Sequence, residues 1–319
     1  MKLEFDPGII GDVIFLELKA RDERGDCALT TEYHSLTDPI YENFPLDERA
    51  AQFRRIDWDF FKKLGFIKLI KNGFDEFPEL EGKVVGGVIA KARGPFEEGS
   101  DLIVKVPDEG NEQKRIIVRL LPDRFMDAEY LKKLLRHELM HVSDMLSESF
   151  GYKDERFGCN PMEESIIKER YSAFWDIFVD SRLIRKGKET VSDRDGRYRE
   201  FESLFKKIPA EVKIAIFEVL WQDESLTHGK ILGMSKDVNK VIKISEGLPA
   251  IKHIPKAKKT LLPGAQCPLC QFRTYDWVDN LNVEPHVVEI IRKDFPNWDP
   301  EDGACERCME AYKVSSPVS

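Results

Sequence analysis

The residues best equipped for chemistry are His137, Glu138 and His141, in the run His137-Glu138-Leu139-Met140-His141. Side chains four apart stand on one helix face, so both imidazoles can be aimed at a single metal ion. Glu138 sits one step round the helix, beside that ion but outside its ligand shell. Neutral imidazoles suit zinc, which lowers the pKa of a bound water toward neutrality and polarises a substrate carbonyl. Glu138 would take the water proton as general base and pass it to a leaving amine. The pattern predicts a zinc-dependent metallohydrolase, a peptidase acting on peptide or protein substrates. The competing reading is a surface helix that spells these letters by chance. The apolar Leu134, Leu135, Val142 and Met145 around the motif argue for a packed helix instead.

A catalytic zinc needs a third protein ligand. Between Tyr171 and Leu183, Asp176 and Asp180 interrupt a nearly continuous apolar run, four residues apart. A buried carboxylate is costly unless it is paired or bound to a metal. One or both could instead pair with Arg170 or Arg182. The remaining histidines, His34, His228, His253 and His286, are scattered and read as surface or packing residues.

The strand-forming Arg115–Leu121 followed by the HELMH helix resembles the strand-plus-active-site-helix unit of the zincin metallopeptidases. That resemblance covers roughly residues 115 to 185. It implies an α+β fold, a zincin-like metallopeptidase domain with a small mixed sheet and a helical part carrying the motif. It also implies that the edge of Arg115–Leu121 aligns a peptide by strand addition. Glycine and histidine do not follow His141 at the metzincin spacing, so that branch is excluded. The Asp176/Asp180 spacing is similar to the Glu-x-x-x-Asp of gluzincins, in which the first acid binds zinc and the second steadies a ligating histidine. Aspartate at the first position departs from that pattern and keeps an aspzincin-like assignment open. The Asp-Ser-Arg-Leu run at 180–183 is similar to an Asp-x-Arg-Ile run that follows HExxH in some predicted metallopeptidases. This favours Asp180 as the ligand and Asp176 as its partner, with Glu169 and Glu164 next.

A second metal centre is written near the C-terminus. Cys267-Pro268-Leu269-Cys270 and Cys305-Glu306-Arg307-Cys308 are two CxxC pairs, the pattern of a closed tetrahedral zinc site of four thiolates. Rubredoxin-like iron fits less well, because Gln271 and Met309 stand where rubredoxins usually carry glycine. A unit of roughly fifty residues cannot build a sufficient core alone, and metal would supply the missing stability. The layout looks like a treble-clef or zinc-ribbon module, with helices over Pro285–Lys293 and Cys305–Tyr312. Cys27 and Cys159 stand apart from this pattern, read as small semi-buried thiols, and receive no role.

Other elements must position these groups. Val84–Ala90, Asp101–Val106 and Arg115–Leu121 read as strands. Asp47–Leu64 reads as an amphipathic helix with Phe53, Ile56, Phe60 and Phe61 inward. Gly86-Gly87 lacks the spacing of a phosphate loop and predicts a bulge or close strand packing. Asp127 predicts an N-cap for a helix reaching about Leu146, and further helices are expected at Met162–Lys186, Tyr198–Phe205, Ala210–Trp221 and Ser235–Ile244. The expected organisation is a metallopeptidase domain at 1–250, a basic proline-containing linker at 251–266 and the four-cysteine module at 267–319.

The net charge of −9 argues against a chain whose main task is gripping a phosphate backbone. With no visible secretion signal and no apolar run long enough for a membrane span, the expected location is cytoplasmic. The alternative function is a non-enzymatic zinc adaptor. It would bind nucleic acid or protein through the four-cysteine module with Lys252, Lys256, Lys258 and Lys259. Glu138 separates the two readings, because a binding scaffold has no use for a proton acceptor beside two zinc ligands.

Overall fold

Asp6 accepts the Gly8 N–H at 2.8 Å and Pro7 occupies the first helical position, so a helix starts where the first strand stops. The computed structural model describes residues 1–105, 113–158, 160–206, 208–244, 261, 263–278, 283–296 and 298–314. They form two units that interleave along the chain. Met1–Asp154, Trp175–Arg199 and Trp221–Lys230 make the first; Glu155–Phe174, Glu200–Leu220 and Ile231–Ser319 make the second. Residues expected as one domain, 1–250, thus contribute to both.

The first unit opens with β1 (Leu3–Phe5) and four helices, α1 (Pro7–Glu23), α2 (Ala28–Asn43), α3 (Leu46–Lys63) and α4 (Phe66–Asp75). Only α3 is foreseen by the sequence reading, with Phe60 and Phe61 buried and Phe53 and Ile56 half-buried. Strands β2 (Gly86–Lys91), β3 (Gly99–Lys105) and β4 (Gln113–Leu120) complete a mixed sheet of order β1-β2-β4-β3. The pairs β1·β2 and β2·β4 are parallel, and β3 runs antiparallel to β4. Gly86 sits in a regular strand, where a Cβ would lie 2.8 Å from the Lys2 carbonyl oxygen, so close packing is its purpose.

This order corrects one expectation. β4, which contains Arg115, is bonded on both sides, by β2 and β3, and has no free edge to offer a peptide. The free edge beside the motif helix belongs to β3.

That helix is α5 (Ala128–Met145), capped by the Asp127 carboxylate on the Tyr130 N–H at 2.9 Å. It packs against β3 and α4. Then come α6 (Pro161–Arg185), α7 (Arg194–Leu204), α8 (Ala210–Gln222), α9 (His228–Lys236) and α10 (Val238–Lys243). The expected single helix over Ser235–Ile244 is interrupted at Asp237, whose carboxylate accepts the Asn239 N–H at 2.9 Å and starts α10 afresh.

In the second unit, the hairpin β5 (Ala265–Gln266) and β6 (Arg273–Thr274) flanks the first cysteine pair, followed by α11 (Pro285–Asp294) and α12 (Glu306–Val314). Cys267, Leu269, Val287, Ile291, Trp298, Ala304, Cys305 and Met309 form its buried cluster. Most of the expected linker, including Lys252, His253, Lys256, Lys258 and Lys259, lies outside the described residues, as does Cys159. Cys27 is exposed rather than semi-buried. Among the described residues no helix is long and apolar enough to cross a membrane.

Candidate metal centres

The four-residue spacings on α5 and α6 bring two imidazoles and two carboxylates to one point of the first unit. His141 Nε2 lies 3.1 Å from His137 Nε2 and 3.0 Å from Asp176 Oδ1, and His137 Nε2 lies 3.4 Å from that same oxygen. His137 and His141 are buried, while the Asp176 side chain keeps 24% exposure. Nitrogen and oxygen ligands about 2.0–2.2 Å from a tetrahedral zinc stand about 3.3–3.5 Å from one another. The three atoms therefore match, within a few tenths of an ångström, the spacing of three corners of such a shell.

Asp180 is elsewhere. Its carboxylate is fully buried, with Oδ1 2.8 Å from Nδ1 of His137, on the far side of the ring from Asp176. The geometry groups Asp176, and not the expected Asp180, with the two Nε2 atoms as a set that could hold a metal ion. Asp176 joins the Nε2 atoms, and Asp180 orients His137 through its outer nitrogen.

Sequence reasoning missed Arg197 on α7. Its Nε donates to Asp180 Oδ2 at 2.6 Å and its Nη1 to Asp176 Oδ2 at 3.3 Å, so one buried guanidinium grips both carboxylates. The expected alternative partners are engaged elsewhere: Arg182 binds Asp144 at 2.9 and 2.5 Å, and Arg170 donates to the Ser235 carbonyl at 3.3 Å. Burial opposes charge on His137, yet its hydrogen bonds to Asp176 and Asp180 outweigh it, and the imidazole is pushed up to about 10. Burial likewise opposes ionisation of Asp176, but the two imidazoles hold its carboxyl far below the usual carboxylate range.

A second line of support runs behind His141. The Trp175 ring meets it edge-on with centroids 4.5 Å apart, and Trp175 Nε1 donates to Asp144 Oδ2 at 2.8 Å. Arg182 holds Asp144 while its guanidinium carbon lies 3.8 Å from the centroid of the Phe178 ring. Tyr152 also stacks on Trp175, with centroids 5.7 Å apart.

Glu138 reaches the sheet. Its Oε2 accepts the Ser100 N–H of β3 at 2.7 Å, and Ser100 Oγ donates back to the Glu138 carbonyl at 2.8 Å. The Oε1 atom makes no hydrogen bond with the described residues. Comparison with family profiles, curated proteins and solved structures gives no match. The site is therefore read on its own atoms.

None of the other described histidines joins this centre. His34 and His286 are exposed beside Asp38 and Glu284, His228 is buried edge-on to Tyr152, and His253 lies outside the described residues.

In the second unit Cys267, Cys270, Cys305 and Cys308 do converge, with their sulfurs all within 4.8 Å. Cys270 Sγ and Cys305 Sγ are 3.8 Å apart, the separation expected of thiolates about 2.3 Å from a tetrahedral zinc. The Cys305 N–H donates to Cys267 Sγ at 3.3 Å and the Cys308 N–H to Cys305 Sγ at 3.4 Å. Although burial opposes ionisation of Cys270, the Phe272 N–H and the neighbouring thiols draw it down to about 7. Gln271, where rubredoxins carry glycine, adopts a left-handed φ of 62°. The chain makes the glycine turn without glycine. Four converging thiols with N–H donors fit a structural metal ion.

Proposed function

We propose that the chain is a zinc-dependent metallohydrolase, a peptidase whose metal is held by His137, His141 and Asp176 and whose general base is Glu138. The observation that carries this reading is the convergence of both Nε2 atoms on Asp176 Oδ1, with Glu138 one step round the same helix and anchored to the edge strand β3. Zinc at these three atoms would polarise an amide carbonyl and acidify water. The protein's own groups supply the rest. Asp180 keeps the His137 proton on Nδ1, and Arg197 prevents the two carboxylates from repelling each other. Glu138, anchored through Oε2, has Oε1 available to accept a proton from the attacking water and return it to the departing amine. The strand-addition role expected of Arg115–Leu121 passes to β3, where the outward carbonyl oxygens would accept substrate N–H groups while the Ser100 and Leu102 N–H groups stay with Glu138 and Asp101. The four-cysteine site holds the second zinc and supports a treble-clef-like module.

The decisive experiment combines metal analysis with a peptide-library cleavage assay on the wild-type chain and on Glu138→Gln. Two zinc ions per chain and cleavage lost only in Glu138→Gln support the reading. Equal cleavage by both proteins removes it.

One feature favours the adaptor alternative. Phe272 and Tyr275 of the cysteine hairpin are 67% and 73% exposed, and Arg307 lies over the Phe272 ring at 5.4 Å. Such a surface suits docking to a protein or nucleic acid. It offers no explanation for Glu138, and so it ranks second.

A further inference from the structure

Across the β2, β4 and β3 end of the sheet lies a groove of about 580 Å³ whose lining includes Ser100, the residue whose N–H holds Glu138. Its floor follows from strand alternation. Ile116, Val118 and Leu120 of β4 are buried in the core, which puts Arg119 on the opposite face, across from Gly99. Lys91 and Arg93 come from the end of β2 and the turn after it, and Phe96 forms a fully exposed aromatic wall.

The charges in this groove are not balanced pair by pair. Lys91 is paired with Asp12. Glu98 is held by Arg124 Nη2 at 2.8 Å and accepts the Leu121 N–H at 3.1 Å. Glu97 accepts the Arg93 backbone N–H at 2.9 Å, and Asp101 accepts the Leu102 N–H at 2.8 Å. The guanidinium groups of Arg93 and Arg119 make no ion pair among the described residues, and Arg119 is half-buried. A partly desolvated guanidinium that forms no ion pair among the described residues is a fork for a planar carboxylate.

We infer that this groove binds a carboxylate of the peptide substrate, with Arg119 as the specificity-determining residue and Arg93 assisting. The substrate class is thus an acidic peptide, whose charge comes either from a Glu or Asp side chain or from the chain's own C-terminus. This inference rests on the peptidase reading and adds the substrate to it.

Binding and cleavage are measured separately. Full-length, zinc-loaded Glu138→Gln protein is titrated with fluorescein-labelled alanine-glycine peptides that carry one Glu at successive positions. Gln-matched peptides serve as controls, and each sequence is made with a free and an amidated C-terminus. A charge-assisted hydrogen bond to a guanidinium should make the preferred acidic peptide bind about tenfold more tightly than its neutral counterpart. Arg119→Gln should shrink that ratio to within about twofold, with zinc content and circular dichroism unchanged, and Arg93→Gln, an exposed and structurally safe change, should reduce it in part. A preference that survives amidation assigns the groove to an acidic side chain, and one that disappears assigns it to the terminal carboxylate. Acidic and neutral peptides binding alike, or a ratio untouched by both arginine substitutions, overturns the inference. A charge preference that follows Arg119 in a chain whose wild-type form cleaves nothing retires the peptidase reading and leaves the groove standing.

Discussion

Asp180 Oδ1 meets His137 Nδ1 at 2.8 Å inside a fully buried environment. The contact decides which ring nitrogen keeps its proton and leaves Nε2 to face His141 and Asp176. Two aspartates of identical type, one helical turn apart, are thereby given different tasks, and the difference can be measured.

Asp176→Ala should nearly empty the histidine site, because in the proposed site it removes one of three ligand atoms. Asp180→Ala should leave the ligands present but loosely oriented, weakening zinc on the order of 10–100-fold. Competitive zinc titration of the two variants, with the four-cysteine site already filled, measures the contrast. The reverse ranking would return the ligand role to Asp180.

Asp144→Ala should be more damaging than its distance from the metal atoms suggests. It leaves the Arg182 guanidinium and the Trp175 N–H without the acceptor they share, in a place where Asp144 is only 4% exposed. Breaking a buried pair from one side costs about 3–5 kcal/mol, whereas replacing both Asp144 and Arg182 with leucine should cost less. Urea denaturation midpoints of the single and double variants test this.

Metal-free protein should lose stability as pH rises through the range set by His137. The folded chain holds that imidazole at about 10 against an ordinary value of 6.5. The resulting stabilisation is complete below 6.5 and disappears as pH climbs through about 10. Asp176, lowered in the folded state, contributes in the opposite direction: its share is present above the ordinary value of 3.8 and is lost as pH falls. Melting temperatures in chelator from pH 6 to 10, wild type against His137→Gln, should converge toward the alkaline end. Parallel curves would contradict the linkage.

Cys308→Ser should reduce bound zinc by one ion without touching the histidine site, because the two ligand sets share no residue. The near-ultraviolet signal of Trp298, packed in the same buried cluster as Cys267 and Cys305, should collapse with it. Metal analysis and circular dichroism of the full chain report both effects.

The local part of the candidate site was legible in the sequence. A four-residue spacing on a helix is a property of the chain alone, so His137, Glu138, His141 and the aspartate pair could all be named in advance. Which aspartate faces the imidazole Nε2 atoms depends on how α6 lies against α5, and no spacing within α6 contains that information. Arg197 and Ser100 were invisible for the same reason, since a lone arginine on a polar helix and a serine in a strand carry no local signal. The edge strand was misassigned because pairing order is a long-range property: β4 reads as a strand equally well in the middle or at the rim. Helix α1, by contrast, left a mark that was available. Asp6-Pro7 followed by Ile9, Ile10, Val13, Ile14 and Leu18 is a cap and an apolar stripe.

The β3 edge has one more consequence, for colloidal behaviour rather than chemistry. An open strand edge invites a second chain to add itself. Here the backbone N–H groups of Ser100 and Leu102, two apart and so turned the same way, each already donate to a carboxylate, that of Glu138 in one case and Asp101 in the other. A neighbouring molecule meets carbonyl oxygens and negative charge in place of a free ladder. Solutions of Asp101→Ala protein should accordingly be more prone to edge-to-edge aggregation than wild type, which light scattering at matched concentration would register.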